Sequence, residues 1–88
     1  MNKLHDRYEK IRAALPEGTL LLMRLGDFWE AYGDCAKDAA RILMIALTKR
    51  NNIPMCGIPH HAKDAYIRQL VEAKKTVGLY EEYPGTKP

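Results

Sequence analysis

A leucine-rich run from Thr19 to Leu25 constrains the fold of this chain more than any other segment. Its length is typical of a β-strand, but it lacks the polar alternation of a strand that exposes one face to solvent. Turn-forming residues flank it, with Pro16-Glu17-Gly18 before the run and Gly26-Asp27 after it. Because such a strand must be covered on both faces, the pattern predicts an interior strand in a layered sheet.

Three segments carry apolar residues at helical spacing and predict helices around that strand. The first helix ends at Pro16, the second begins near Asp34, which we expect to act as its N-cap, and the third runs from about Lys63 to Lys74. The apolar stripes are Leu4, Tyr8, Ile11 and Leu15 in the first helix, Ala36, Ala39, Ala40 and Leu43 in the second, and Tyr66, Leu70 and Ala73, widened by Ile67 and Val71, in the third. The small alanine side chains allow the second helix to approach a sheet closely.

The segment from Phe28 to Tyr32 has two interpretations. As a strand, it would place its first, third and fifth residues on one face and Trp29 on the other. It could equally begin a helix capped by Asp27. The other predicted strands are Ile45 to Thr48, Ile53 to Ile58 and Val77 to Glu82, the first two joined by a polar turn from Lys49 to Asn52.

The resulting order of helix, strand, helix, hairpin, helix and strand predicts an α/β fold. A chain of 88 residues can build one small core but not two. We therefore predict a single domain over residues 1–82, with a mixed β-sheet of about four to five strands packed by three helices. Residues 83–88, which include Pro84 and Gly85, are predicted to form a polar tail.

Composition limits the classes of function. The chain has 14 Lys and Arg against 11 Asp and Glu, a net charge of +3, which permits nucleic-acid binding without requiring it. It shows neither a secretory signal nor an apolar run near the roughly 20 residues of a membrane helix. The two cysteines stand apart without CxxC spacing. Together these features predict a cytoplasmic protein with reduced thiols and no membrane partner.

No group of residues predicts an enzyme. A phosphate-binding loop of the GxxxxGK[ST] type is missing, so we expect no ATP binding. A zinc site would have to combine Cys56, His60 and His61 with an acid such as Asp64, and this set lacks the paired spacing of structural zinc ligands. Cys35 has aspartates nearby in the sequence, and negative neighbours do not activate a thiol as a nucleophile. We therefore expect no catalytic residue, no metal and no cofactor.

Three sequence blocks carry more specific information. They are RLGDFWEAY at residues 24–32, LTKR at residues 47–50 and IPMCGIPHHA at residues 53–62. In this order and with this spacing they resemble the GDF-aromatic-E, LTKR and IPM-x-GIP-x-HA blocks of the N-terminal mismatch-recognition domain of the MutS family of DNA mismatch-repair proteins. The resemblance extends from the first helix to the segment Val77 to Glu82, and so covers nearly the whole chain.

The resemblance implies a role for the Phe-x-Glu signature, which is present as Phe28 and Glu30. Phe28 would enter the minor groove and stack on a mispaired or unpaired base, and the Glu30 carboxyl would hydrogen-bond to that base. An aromatic wedge must unstack a base step and bend the duplex, which costs less where pairing is already defective. The alternative is that Phe28 is an ordinary core residue and Glu30 a solvated strand residue.

Five further residues are candidate DNA contacts. The resemblance implies that Leu25 and Met55 lie beside the wedge and help to line the surface that faces the groove, although either could belong to the core. Their charge makes Arg24, Lys49 and Arg50 candidates for phosphate contacts.

The predicted function is therefore a module that binds mismatched or distorted duplex DNA and is linked to DNA mismatch repair, with other mismatch-repair proteins as further partners. We expect the connector, lever, clamp and ATPase domains of the family to be absent, and with them a complete repair function. A second hypothesis is a protein-interaction module that modulates a repair protein and has little DNA affinity. A third, a small nuclease or thiol-dependent hydrolase, would need a metal or nucleophile site that the sequence does not show.

Overall fold

A computed structural model describes residues 3–82 as a five-stranded sheet with three α-helices. The elements are α1 (Lys3–Ala13), β1 (Thr19–Leu25), β2 (Phe28–Tyr32), α2 (Gly33–Leu43), β3 (Thr48–Arg50), β4 (Ile53–Pro59), α3 (Lys63–Glu72) and β5 (Thr76–Tyr80), with a short 3-10 helix at His60–Ala62 before α3. The strand order is β3-β4-β2-β1-β5, with β1 and β5 parallel and the other neighbours antiparallel. The predicted α/β class with a mixed sheet is confirmed, and the predicted tail, residues 83–88, lies outside the described residues.

The leucine-rich run forms β1 with the predicted bounds, and it lies inside the sheet between β2 and β5. Its residues from Thr19 to Met23 are all buried. Tyr8 of α1 donates a hydrogen bond of 2.5 Å from its hydroxyl to the Leu21 carbonyl, which fixes α1 on one face of the sheet. The helices α2 and α3 contact each other and cover the opposite face. The prediction of a strand covered on both faces is therefore confirmed.

The segment Phe28–Tyr32 is the strand β2 and not the start of a helix. Its alternation places Phe28, Glu30 and Tyr32 on the face that carries α1, and Trp29 on the face that carries α3. The Tyr8 and Tyr32 rings meet edge to face at 5.2 Å between centroids. Helix α1 thus covers this face over β1 and one end of β2, and within residues 3–82 no helix covers the rest of β2 with β4 and β3 on this face.

Helix α2 begins differently from the prediction. It starts at Gly33, directly after β2, and no side chain caps its N-terminus, so the expectation that Asp34 is the N-cap is wrong. Gly33 has a φ of 62°, and this left-handed conformation lets the chain turn from the strand straight into the helix. Asp34 lies in the first turn instead, where its negative charge interacts favourably with the positive end of the helix dipole. The predicted alanine stripe is buried against the sheet, as expected.

The predicted strand from Ile45 is also wrong in its bounds, because β3 begins at Thr48. Helix α2 ends with Met44 in a left-handed conformation, and the three residues after it form the connection to the sheet. Only Asn51 and Asn52 form the turn between β3 and β4. Both have positive φ, 52° and 66°, the geometry of a two-residue hairpin turn that asparagine tolerates.

Helix α3 ends at Glu72, two residues earlier than predicted. Lys74 takes a positive φ of 70°, and the Lys75 amide donates to the Leu70 carbonyl, so the helix terminates in a tight C-terminal turn. Val71 and Ala73 are exposed, which corrects their placement in the apolar stripe. Leu70 is the residue of α3 that is fully buried. Within residues 3–82, no helix has the length and apolar character to cross a membrane.

The C-terminal end of α2 allows a prediction about stability. Met44 has a φ of 57° and a side chain that is 90% exposed, so it adopts a glycine-like backbone and gains little from packing. We expect Met44→Gly to raise the free energy of unfolding by about 0.5–1 kcal/mol, measured by urea denaturation. Met44→Ala is the control, since it removes the exposed side chain but keeps the Cβ. An equal gain in both variants would show that the backbone conformation is not the cause.

Candidate nucleic-acid interface

An open groove of about 360 Å³ lies on the part of the sheet that α1 leaves uncovered. Strands β2, β3 and β4 and the connection before β3 supply its walls. The lining residues are Phe28, Glu30, Ala46, Thr48, Arg50, Met55, Cys56 and Gly57. A Cβ at position 57 would lie 3.6 Å from Cδ1 of Phe28 and 3.9 Å from Cγ of Glu30, so the bare backbone of Gly57 forms the floor beneath both side chains.

Phe28 stands at the rim of this groove. It is the first residue of β2, directly after the turn at Gly26 and Asp27, and its backbone is in register with Leu25 on β1 and Pro59 on β4. The side chain is 46% exposed, which is unusual for a phenylalanine on a paired strand. The alternative that Phe28 is a core residue is therefore wrong. The ring offers a flat apolar surface to an incoming partner.

Trp29 anchors the strand from the opposite face of the sheet. It is buried, and its Nε1 donates a hydrogen bond of 2.9 Å to Nδ1 of His60. The guanidinium of Arg24 and the ammonium of Lys63 lie 5.8 Å and 5.4 Å from the centroid of the indole ring, within the range of cation–π attraction. These contacts anchor Trp29 on the face opposite Phe28, its neighbour on β2.

Glu30 is buried beside Phe28 and forms a closed cluster with two other side chains. The Tyr32 hydroxyl donates to Oε1 of Glu30 at 2.6 Å. Nη2 of Arg50 donates to Oε2 of Glu30 at 3.3 Å, and Nη1 lies 3.0 Å from Oε1. Nη1 also donates to the Tyr32 hydroxyl at 3.0 Å. We call Glu30, Tyr32 and Arg50 the carboxylate cluster.

This cluster explains how a charged group is retained in the sheet. Glu30 is only 6% exposed, so the alternative that it is a solvated strand residue is wrong. A buried carboxylate requires a cation and hydrogen-bond donors, and Arg50 and Tyr32 supply them. Burial and then the hydrogen bond to Glu30 raise the pKa of the Tyr32 hydroxyl, which keeps it protonated as a donor.

The remaining candidate residues divide between the two faces. Met55 lines the groove, where it is in register with both Tyr32 and Thr48, and Leu25 is half-buried beside Phe28. Arg24 lies on the Trp29 face, where Nη1 donates to Oε2 of Glu81 at 2.7 Å and Nε to the Gly26 carbonyl at 3.0 Å. Lys49 is exposed, in register with Pro54 on the face opposite Arg50. The structure thus brings Phe28, Glu30, Arg50 and Met55 together and places Arg24 and Lys49 elsewhere.

Residues 2–87 match the family model described as MutS domain I. The chain belongs to the MutS domain I family. Among curated relatives, it is 47% identical over 82 residues to the DNA mismatch repair protein MutS of Desulfitobacterium hafniense, an alignment that covers 88% of this chain and 9% of the relative. The corresponding protein of Thermotoga neapolitana is 43% identical over 82 residues, with 93% of this chain and 10% of the relative covered. That of Leptospira interrogans is 52% identical over 65 residues, with 73% and 8% covered.

These matches confirm the resemblance to the MutS family that the three sequence blocks indicated. The chain spans about a tenth of the length of these MutS relatives. The sequence of this MutS domain I did not predict that Tyr32 belongs to the site, where it hydrogen-bonds with Glu30 and Arg50. The alternation of β2 places its side chain on the same face as Glu30, but the sequence contains no signal that Arg50 would complete the cluster.

Proposed function

We propose that this chain binds duplex DNA at the groove and prefers duplexes that contain a mispaired or unpaired base, as a recognition module of DNA mismatch repair. The observation that carries the proposal is an exposed aromatic ring beside a buried carboxylate on an otherwise open sheet face. Membership of the MutS domain I family and similarity to proteins named DNA mismatch repair protein MutS support it.

Phe28 is the proposed wedge. Its half-exposed ring can stack on a base in the minor groove, and base–aromatic stacking contributes roughly 1–3 kcal/mol per base. The wedge has to separate a base from its neighbours and kink the duplex, which costs a few kcal/mol at a normal step. A mispaired or unpaired base has already lost part of that stabilisation, so the same wedge binds it more favourably.

Glu30 is the proposed hydrogen-bond partner of the displaced base. A bare carboxylate near phosphates would be repelled, but the guanidinium of Arg50 compensates its charge at 3.0 Å. The groove therefore offers acceptor oxygens without a net negative charge from this pair. A base with a free N–H group satisfies that acceptor, whereas a base in a regular pair has already used its N–H.

We propose that Arg50 contacts a phosphate beside the groove and that Arg24 and Lys49, whose side chains lie on the opposite face of the sheet, add positive charge that attracts the DNA backbone. Leu25 and Met55 are the proposed apolar contacts beside the wedge. The net charge of +3 favours DNA but implies only a modest electrostatic attraction. The proposed partners also include other mismatch-repair proteins. The proposed role needs no chemical step by the chain itself.

Equilibrium titration with labelled duplexes tests the proposal. We expect dissociation constants of roughly micromolar or weaker, because a single small module makes few phosphate contacts. At one fixed salt concentration, a duplex with a G·T mispair or an unpaired T should bind roughly thirtyfold more tightly than the matched duplex of otherwise identical sequence, since the stacking of the wedge is worth about 2 kcal/mol. Equal affinity for all three duplexes would contradict the proposal.

A further inference from the structure

We infer that Tyr32 and Arg50 are positioning residues that hold the Glu30 carboxylate in one orientation, with Oε2 as the acceptor presented to a base. The inference rests on the proposed role of Glu30 and goes beyond it, because it assigns base selectivity to two residues that act through Glu30.

The hydrogen bonds of the cluster distinguish the two oxygens of Glu30. Oε1 accepts a hydrogen bond from the Tyr32 hydroxyl at 2.6 Å and lies 3.0 Å from Nη1 of Arg50 as an ion pair. Oε2 has a single, longer contact at 3.3 Å to Nη2 of Arg50. Each carboxylate oxygen can accept about two hydrogen bonds, and because Oε1 has the shorter bond and the closer cation, Oε2 has more acceptor capacity left.

The closed shape of the cluster makes this orientation stable. Because Arg50 also donates to the Tyr32 hydroxyl at 3.0 Å, each of the three side chains is held by the other two. A free glutamate side chain would lose rotational freedom when a base binds, and this loss weakens binding. A carboxylate that is already fixed avoids most of that cost and accepts only a donor that arrives in the right direction.

Tyr32 separates positioning from direct DNA contact. Its side chain is 1% exposed, so it acts on a bound base through Glu30 and not by touching it. Replacing it with phenylalanine also changes no charge, so it leaves the electrostatic attraction to phosphates unaltered. Arg50 is partly exposed and has the reach to do both, so it requires a charge-matched control.

The first experiment compares Tyr32→Phe with Tyr8→Phe in the 88-residue chain. Tyr8 is the matched control because it is equally buried, packs against Tyr32 and loses a hydrogen bond to the Leu21 carbonyl instead of to Glu30. We expect Tyr32→Phe to lower the ratio of G·T to matched-duplex affinity about fivefold, the net effect of one typical hydrogen bond. Tyr8→Phe should lower the thermal midpoint but leave that ratio unchanged. A ratio that is unchanged in Tyr32→Phe, or lowered equally in both variants, would overturn the inference.

The second experiment compares Arg50→Gln with Lys49→Gln, two losses of one positive charge on the same short strand. We expect Lys49→Gln to weaken binding to both duplexes by the same factor, whereas Arg50→Gln also lowers the ratio of their affinities. Arg50→Lys keeps the charge and should recover part of the ratio, and it remains informative if Arg50→Gln does not fold. Two outcomes would show that Arg50 acts only through its charge and is not a positioning residue. One is that Arg50→Gln folds and has the same affinity ratio as Lys49→Gln. The other is that Arg50→Lys has the wild-type affinity ratio.

Coupling to Glu30 completes the test. In a Glu30→Ala background, Tyr32→Phe should have no further effect on the affinity ratio, because the side-chain acceptor that it positions is gone. A full effect in that background would overturn the inference. If the wild-type chain shows no preference for the mismatched duplex, the proposed function is overturned as well. If the wild-type chain shows the preference and Tyr32→Phe leaves the affinity ratio unchanged, only the positioning role is overturned.

Discussion

Replacing Phe28 with alanine is expected to remove the preference for a mismatched duplex while leaving the fold intact. The ring is 46% exposed at the start of β2, so its loss opens no cavity in the core. It would remove the stacking surface that the proposed wedge provides, worth about 2 kcal/mol, or roughly thirtyfold in affinity for the mismatched duplex. Binding to the matched duplex depends on phosphate contacts and should change little. Titration of both duplexes at the same salt concentration measures the difference.

Leu79→Ala is the matched control for this experiment. Leu79 lies on β5 at the far edge of the same sheet and is 48% exposed, almost the same fraction as Phe28. It should retain the full preference for the mismatch, because it is remote from the groove. If Phe28→Ala keeps the wild-type preference, Phe28 is not the wedge. If both variants lose it together, exposed apolar surface in general and not the ring at position 28 is responsible.

Replacing Leu22 with alanine is expected to have the largest effect on stability. Leu22 is fully buried in β1, and truncation of a buried leucine costs about 3–5 kcal/mol from lost burial and the cavity left behind. A domain of this size is stable by roughly 5–10 kcal/mol, so the variant should lose a large part of its stability. Urea denaturation followed by circular dichroism would show a midpoint shifted strongly to lower urea.

The same Leu79→Ala variant controls this prediction. Leu79 is the register partner of Leu22 on the parallel strand β5, so the two substitutions remove the same atoms from neighbouring positions of the sheet. Since Leu79 is half-exposed, its truncation should cost about 1 kcal/mol or less. Equal costs for the two variants would mean that β1 is not the interior strand on which the domain is built.

Much of the architecture could be predicted because it depends on local periodicity. The run from Thr19 to Leu25 has no polar face, and it forms a strand buried on both sides. For residues 28–32 the sequence left a strand and the start of a helix as alternatives, and of these the strand, which separates Trp29 from Phe28 and Glu30, is the one formed. The alanine stripe of α2 is buried against the sheet. In each case the spacing of side chains along the chain already defines a face.

The errors lie at the ends of elements, where tertiary contacts compete with local preference. Asp34 has the chemistry of an N-cap, but the strand β2 continues to Tyr32 and Gly33 starts the helix before Asp34 can cap it. Ile45 has a high strand preference, but the three residues after Met44 form the connection between α2 and the edge strand β3. A local sequence pattern shows neither where β2 ends nor how many residues connect α2 to the edge of the sheet.

For the groove itself, the sequence alone determined that an aromatic residue and a carboxylate two positions apart share one face if residues 28–32 are extended, because side chains alternate along a strand. The tertiary structure decided that this segment is a strand and not the start of a helix. Only the tertiary structure decided that Phe28 is exposed and Glu30 is buried. It also decided that Arg50, which is 20 residues from Glu30 in the sequence, completes the carboxylate cluster with Tyr32. The register of β2, β4 and β3 places Met55 opposite both Tyr32 and Thr48, and so brings Arg50 onto the same face. Strand pairing across the sheet sets that register, and no spacing along the chain encodes it.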